Sequence, residues 1–170
     1  MQLVKIHNDF YQLLDVFQEE EMEKIQNEFI HHMCWKKLSQ GDSIREEGTA
    51  QVKINWGRIQ EVIDEYFGKN SFPNTTQLWY DWKGYINEVH KDLSLNLSAN
   101  VQVYLSEGVD SMGTHCNIDG TWYSVPYKFN TGYLMFNPTM HEHGMRSPVE
   151  DYRMSLYQSF RITEEPSPIW

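Results

Sequence analysis

From Thr76 to Ile162 the apolar residues of this 170-residue chain recur at every second position, in short runs with no stretch of helical period between them. A strand points successive side chains to opposite faces, so such runs ask for half-buried strands. The clearest is 101–106, VQVYLS, where Val101, Val103 and Leu105 point one way and Gln102, Tyr104 and Ser106 the other. Further strands are expected over 77–80, 85–89, 122–125, 132–136 and, longest, 153–162, with 94–97 strand or loop and 107–110 a loop. Strands that follow one another directly favour a sandwich or barrel.

Ahead of this region the spacing is helical. Phe10, Leu13, Leu14, Phe17, Met22, Ile25, Phe29 and Ile30 predict an amphipathic helix over 10–33, preceded by a short lead-in over 1–9. Its acidic residues, Glu19, Glu20, Glu21 and Glu23, read as a solvated face, and His31 and His32 suit the negative end of the helix dipole. Residues 36–52 read as polar and irregular. A second helix is expected over 56–67, with Asn55 as cap, Ile59, Val62, Ile63 and Tyr66 as stripe, Gly68 as stop, and a loop with Pro73 over 70–74. The expected whole is a single domain over 1–170. Within it, 1–70 serves as helical support, 76–162 as the β core and 163–170 as a tail.

Charge and composition narrow the function. A net charge of −10 argues against a nucleic-acid groove and against docking on anionic lipid. Aromatic residues make up 14% of the chain, which favours a folded, β-rich body. Cys34 and Cys116 are the two cysteines; neither lies in CxxC spacing, so a thiolate zinc site is not expected. The N-terminus has no basic region followed by a long apolar run, and no apolar stretch is long enough for a bilayer span. The expected compartment is the reducing cytosol.

Two stretches carry chemistry. Gly84 opens GYINEVHKD, which ends in His90-x-Asp92, and His143 opens HGMRSPVEDYRMS, which holds Arg153-x-Ser155. On a strand, positions i and i+2 share a face, so His90 and Asp92 can reach one metal, with His143 supplied from a distant strand. Two imidazoles and a carboxylate suit Fe(II), manganese or zinc with positions left open. Arg153, Ser155, Tyr157 and Ser159 share one face of the last strand, opposite Met154, Leu156, Gln158, Phe160 and Ile162. An arginine turned inward needs an anionic partner, which its planar fork can grip. Taken singly, His-x-Asp also reads as an exposed strand end and Arg153 as a solvated side chain.

In order and spacing these pieces resemble the Fe(II)- and 2-oxoglutarate-dependent dioxygenases. They are most similar to the compact prolyl-4-hydroxylase-like branch of bacteria and phages. The likeness runs from about Leu78 to Ile162: GYINEVHKD as first core strand and HxD motif, VQVYLSEGVDSMGTH as the next strand and turn, PYKFNTGYLMFNPTMHEHG as the strand pair delivering the distal histidine, and RMSL as the RxS motif. The resemblance implies a mainly β, double-stranded β-helix (jelly-roll, cupin-like) core behind N-terminal helices. It implies His90, Asp92 and His143 as ligands of a catalytic Fe(II). It also implies Arg153 and Ser155, helped by Tyr104 and more weakly Tyr157, as the site for the distal carboxylate of 2-oxoglutarate, with O2 as co-reactant. The implied reaction is hydroxylation of a C–H bond with release of succinate and CO2.

His143 rather than His141 is the expected ligand, from its spacing to Arg153 and the glycine after it; His141 is then a pocket-edge or exposed group. His115 is expected in a second shell, facing substrate, or at the surface, and Asn130 and Thr131 in a turn. Gly132, Pro138 and His143 also resemble the second motif of cupins, although the cupin HxH with a later glutamate is not found. The competing readings are a non-redox cupin-like isomerase or ligand binder and an inactive interaction domain. The substrate is open between a peptidyl side chain, which the resemblance favours, and a free metabolite. Residues 36–52 and 107–128, the latter with Trp122, Tyr123 and Tyr127, are the candidate recognition loops.

Overall fold

A computed structural model describes residues 1–31, 36–40, 43–50, 53–93 and 97–163. Eleven strands, two α-helices and one turn of 3-10 helix (Asp110–Met112) are described: β1 (Gln2–His7), β2 (Phe10–Leu14), α1 (Glu19–His31), β3 (Lys36–Gln40), β4 (Ser43–Thr49), α2 (Gly57–Phe67), β5 (Ser71–Trp82), β6 (Ser98–Tyr104), β7 (Thr114–Ile118), β8 (Thr121–Val125), β9 (Gly132–Phe136), β10 (Glu142–Met145) and β11 (Tyr152–Ile162). They form an eight-stranded antiparallel sheet in the order β1-β2-β9-β6-β11-β5-β4-β3 and a three-stranded sheet in the order β10-β7-β8. The two sheets face one another as in a jelly roll.

The alternation in β6 and β11 sorts the interior into two layers. Val101, Val103, Leu156 and Phe160 point to the outer face of the large sheet. There they pack with Leu134 under Met22, Ile25 and Phe29 of α1 and Ile59 and Ile63 of α2. Between the sheets lies a second cluster, in which Phe10, Tyr104, Tyr133 and Met135 meet Cys116, Ile118, Val125 and Met145. Gln158 belongs to the outer layer although it is polar. Its Oε1 accepts from Trp56 Nε1 at 3.1 Å, and its Nε2 donates to two backbone carbonyls, so it is buried with its hydrogen bonds made.

Several expectations change. The helix over 10–33 is a strand and a shorter helix. β2 pairs with β1 on one side and β9 on the other, Asp15 turns the chain at φ 49°, and α1 starts at Glu19. Phe10 is buried between the sheets and Leu13 under the helices, so a strand covered on both faces shows no alternation and imitates a helical stripe. The lead-in over 1–9 is β1, and the irregular stretch over 36–52 contains the β3–β4 hairpin at the sheet edge. Residues 1–70 therefore add four strands to the large sheet besides their helices. The loop over 70–74 is the start of β5, where Thr75 pairs with Ser159 and Pro73 with Phe160, leaving Asn74 as a bulge. The strand over 85–89 is an irregular segment. β7, not foreseen, carries His115.

The expected helix over 56–67 matches α2, closed by Gly68 at φ 61°, but Trp56 rather than Asn55 takes the cap position and gives no side-chain cap bond; Asn55, one residue earlier, accepts from Gly57 N at 3.0 Å. Asn130 does serve a turn, at φ 56°, and its side-chain amide bonds both backbone groups of Phe17. His31 ends α1. His32, Cys34 and the tail over 164–170 lie outside the described residues, while Cys116 is a buried free thiol. Among the described residues no helix is long and apolar enough to cross a membrane.

A methyl group at Gly132 would lie 1.9 Å from the carbonyl oxygen of Gln102, so β9 can pair with β6 only because this side chain is absent. Gly132→Ala should destabilise the protein by roughly 3 kcal/mol, the upper range of overpacking costs, read as a lower urea midpoint.

Candidate active site

The cavity between the sheets, of about 460 Å³, is lined by His90, Asp92, His143 and Arg153 among others. His143 stands on β10. His90 stands on the irregular 85–92 segment, which runs along β10 as an extra chain. His90 N donates to His143 O at 2.9 Å, and His143 N to His90 O at 2.8 Å. Further along, Met145 N donates to Asn87 O and Val149 N to Tyr85 O. Gly144 permits this approach, since a Cβ there would lie 2.8 Å from Asn87 O and 2.9 Å from Glu88 O.

Backbone pairing thus places the two imidazoles side by side, with ring centroids 4.6 Å apart. Each Nδ1 meets a main-chain carbonyl, Glu88 O at 2.7 Å for His90 and His141 O at 3.0 Å for His143. That makes Nδ1–H the donor and turns each Nε2 lone pair inward. Both Nε2 atoms lie 3.4 Å from one oxygen, Asp92 Oδ1. The other oxygen, Oδ2, accepts from Asn100 Nδ2 at 2.6 Å.

Three electron-pair donors within 4.8 Å of one another require positive charge among them. The hydrogen bond to Asp92 raises the His90 pKa against the effect of burial. Burial works to raise the Asp92 carboxyl, but the bonds from His143, His90 and Asn100 outweigh it and hold it well below the usual carboxylate range. The donor set fits a divalent metal with two imidazoles and one carboxylate.

Arg153 lies in the same cavity on the expected face of β11, and it is 1% exposed. Its Nη1 donates to Asp81 Oδ2 at 2.7 Å, and Asp81 also accepts from Arg45 Nε at 2.5 Å and Arg45 Nη2 at 3.1 Å. Among the described residues Arg153 Nε is buried without an acceptor, as is Nε1 of Trp79 on the cavity wall. Ser155 and Tyr104 sit one layer back. Tyr104 OH donates to Thr114 Oγ1 at 3.0 Å, Thr114 Oγ1 to Gln102 Oε1 at 3.4 Å, and Gln102 Nε2 to Ser155 Oγ at 2.9 Å. Thr114 and Gln102 are the members of this chain that reach the cavity. Tyr157 lines it directly, stacked on Trp79 with ring centroids 4.6 Å apart.

The structure therefore brings His90, Asp92, His143, Arg153 and Tyr157 to one cavity and holds Ser155 and Tyr104 just behind its wall. Asp81, Arg45, Asn100, Trp79 and Thr114 were missed. One carried a signal: Asn100 in SANVQVY falls on the face that Ala99, Val101 and Val103 avoid. His141 is buried, neither exposed nor at the cavity edge. Its Nε2 bonds Asp9 Oδ2 at 2.8 Å, and Asp9 Oδ1 accepts from Tyr66 OH. His115 is also buried, outside the cavity lining, with Nδ1 bonded to Ser124 Oγ at 2.7 Å. Trp122 is exposed on β8, and Tyr127 is buried with its hydroxyl bonded to Ser106, so neither lines the cavity.

No protein-family model matches the sequence, and no curated protein matches it. Solved structures match the fold. An oxidoreductase of the 2OG-Fe(II) oxygenase family from Burkholderia pseudomallei superposes with a TM-score of 0.73, covering 90% of this chain and 85% of its own at 15% identity. HygX from Streptomyces hygroscopicus, with nickel, 2-oxoglutarate and hygromycin B bound, gives a TM-score of 0.65 over 92% and 84% at 14% identity. A Pseudomonas putida prolyl-4-hydroxylase gives 0.67 over 90% and 92% at 11% identity. At such identities the likeness is one of fold, and the chain has the fold these proteins share.

Burial and the nearby Arg146 push the His115 imidazole down to about 4. Its ordinary value is about 6.5, so between pH 6.5 and 4 the unfolded chain binds a proton that the folded one refuses. Stability should be complete above pH 6.5 and fall as the pH drops towards 4. Urea unfolding at several pH values should show a shallower fall for His115→Gln than for wild type.

Proposed function

We propose that this chain is an Fe(II)- and 2-oxoglutarate-dependent oxygenase. It hydroxylates a C–H bond of its substrate while 2-oxoglutarate is split into succinate and CO2. One oxygen atom of O2 enters the substrate and the other enters succinate, so the electrons balance. The observation that carries the reading is one cavity with two kinds of site. Two inward Nε2 atoms and a carboxylate oxygen converge in it, and a buried arginine with an unmet donor shares its wall. The first set suits a metal with open positions, the second a carboxylate. Proteins of the same fold include one solved with nickel and 2-oxoglutarate bound, which supports the pairing of these two ligands here.

His90, Asp92 and His143 would hold the iron, which supplies the activation of O2 when bound. The main-chain carbonyls of Glu88 and His141 fix the imidazole tautomers for that role, and Asn100 holds the outer oxygen of Asp92. Arg153 takes the distal carboxylate of the oxoacid. Tyr157 and Trp79 wall the cavity, while Ser155 and Tyr104 steady its floor through Gln102 and Thr114. The likeness to the prolyl-4-hydroxylase makes a peptidyl side chain of the prolyl type the first substrate class to test.

Anaerobic titration of the protein with Fe(II) and 2-oxoglutarate should produce the visible charge-transfer band of a chelated oxoacid. The band should be absent in His143→Ala. In Arg153→Ala it should need on the order of a hundredfold more oxoacid, the scale of a lost buried charge pair. His141→Ala should keep the band while losing about 1–3 kcal/mol of stability, because Asp9 loses a partner. A folded, iron-replete wild type without the band would sink the proposal.

A further inference from the structure

We infer that Arg45 and Asp81 are positioning residues of the oxoacid site, and that together they set its preference for a 2-oxo acid with a negatively charged tail. This rests on the oxygenase reading above. Arg45 on β4, Asp81 on β5 and Arg153 on β11 stand abreast, since Asp81 is the cross-strand partner of both arginines. Asp81 is fully buried, and Arg45 and Arg153 are 6% and 1% exposed. Arg45 grips both oxygens of Asp81, and Arg153 Nη1 shares Oδ2. Two cations and one anion leave a single positive charge out of water, and an adjoining anion would offset its desolvation cost.

Arg45 does not line the cavity. Its guanidinium is clamped between Trp79, 4.0 Å from the ring centroid, and Tyr85, at 4.5 Å. Its charge therefore acts through Asp81, and its stacking through Trp79, which forms the wall with Tyr157. Arg153 does line the cavity, and among the described residues Arg153 Nε and Trp79 Nε1 are the buried donors of its lining without an acceptor. A carboxylate on Arg153 completes a row of alternating charge, Arg45 positive, Asp81 negative, Arg153 positive, ligand negative, with a sum of zero. An oxoacid with an uncharged tail leaves the row at +1. Without Arg45 the same carboxylate would bring the row to −1, so Asp81 would repel the ligand that Arg153 attracts.

The test compares 2-oxoglutarate with 2-oxopentanoate, which keeps the five-carbon chain but lacks the distal carboxylate, by titrating each into the Fe(II)-loaded protein without oxygen. Wild type should prefer 2-oxoglutarate, and Arg45→Met should cut that preference by roughly tenfold or more. The double variant Arg45→Met/Asp81→Asn returns the row to zero with the ligand bound and should recover most of the preference. Arg45→Lys, which keeps the charge and loses the fork, should keep the preference at lower overall affinity. Iron affinity should be the same in all of them, which a general loss of structure would not allow. Wild-type preference retained in Arg45→Met, or a double variant no better than the single one, overturns the inference while leaving the oxygenase reading intact. No band with either acid in iron-loaded wild type overturns that reading and this inference with it.

Discussion

One face of the large sheet packs under the helices, while the other carries both an apolar cluster and a set of buried polar groups, and the site follows from how those polar groups are satisfied. Along β6 and β11 the apolar side chains go under the helices, so Asn100, Gln102, Tyr104, Arg153, Ser155 and Tyr157 are turned between the sheets. Groups buried there must find partners among themselves. The results are the row from Tyr104 through Thr114 and Gln102 to Ser155, the bond from Asn100 to Asp92, and the carboxylate of Asp81 between two arginines. Arg153, Trp79, His90 and His143 line the cavity, and among the described residues Arg153 Nε and Trp79 Nε1 are left without an acceptor after this pairing.

The imidazole pair depends on backbone rather than side-chain packing. The 85–92 segment has no regular strand pairing, yet two hydrogen bonds tie His90 to His143, and Gly144 lets the two chains touch. Because each Nδ1 is spent on a main-chain carbonyl, ring rotation would cost a hydrogen bond, and the inward nitrogen is fixed before any ligand arrives. His141, two residues before His143, faces away and locks β10 to the N-terminal hairpin through Asp9. Asp9 in turn is bonded to Tyr66 of α2. The first seventy residues thus support the site through both sheet edges: β2 and Asp9 on one side, β4 and Arg45 on the other.

Parts of this were legible in the chain itself. Alternation in VQVYLS and in RMSLYQSFRI determines which side chains share a face, because the strand period is two wherever one face is dry, and those facings match the fold. The order of His90, Asp92, His143 and Arg153 identified residues that the structure brings to one cavity. The signal failed where a strand is covered on both faces, as at Phe10–Leu14, or too polar to show a dry face, as at Ser43–Thr49. In the first case two buried faces imitate a helical stripe, and in the second no periodicity remains.

Tertiary structure alone decided the rest, for one physical reason. Periodicity says which face of its own strand a residue occupies and nothing about which strand lies alongside. Arg45, Asp81 and Arg153 become one charged row only because β4, β5 and β11 are neighbours in register. His141 and His143 share a strand face in the sequence pattern, yet one meets Asp9 and the other Asp92, a distinction made by the chains packed on either side. The sequence by itself determined the kinds of group present and the faces they take; the pairing of strands determined which of them meet.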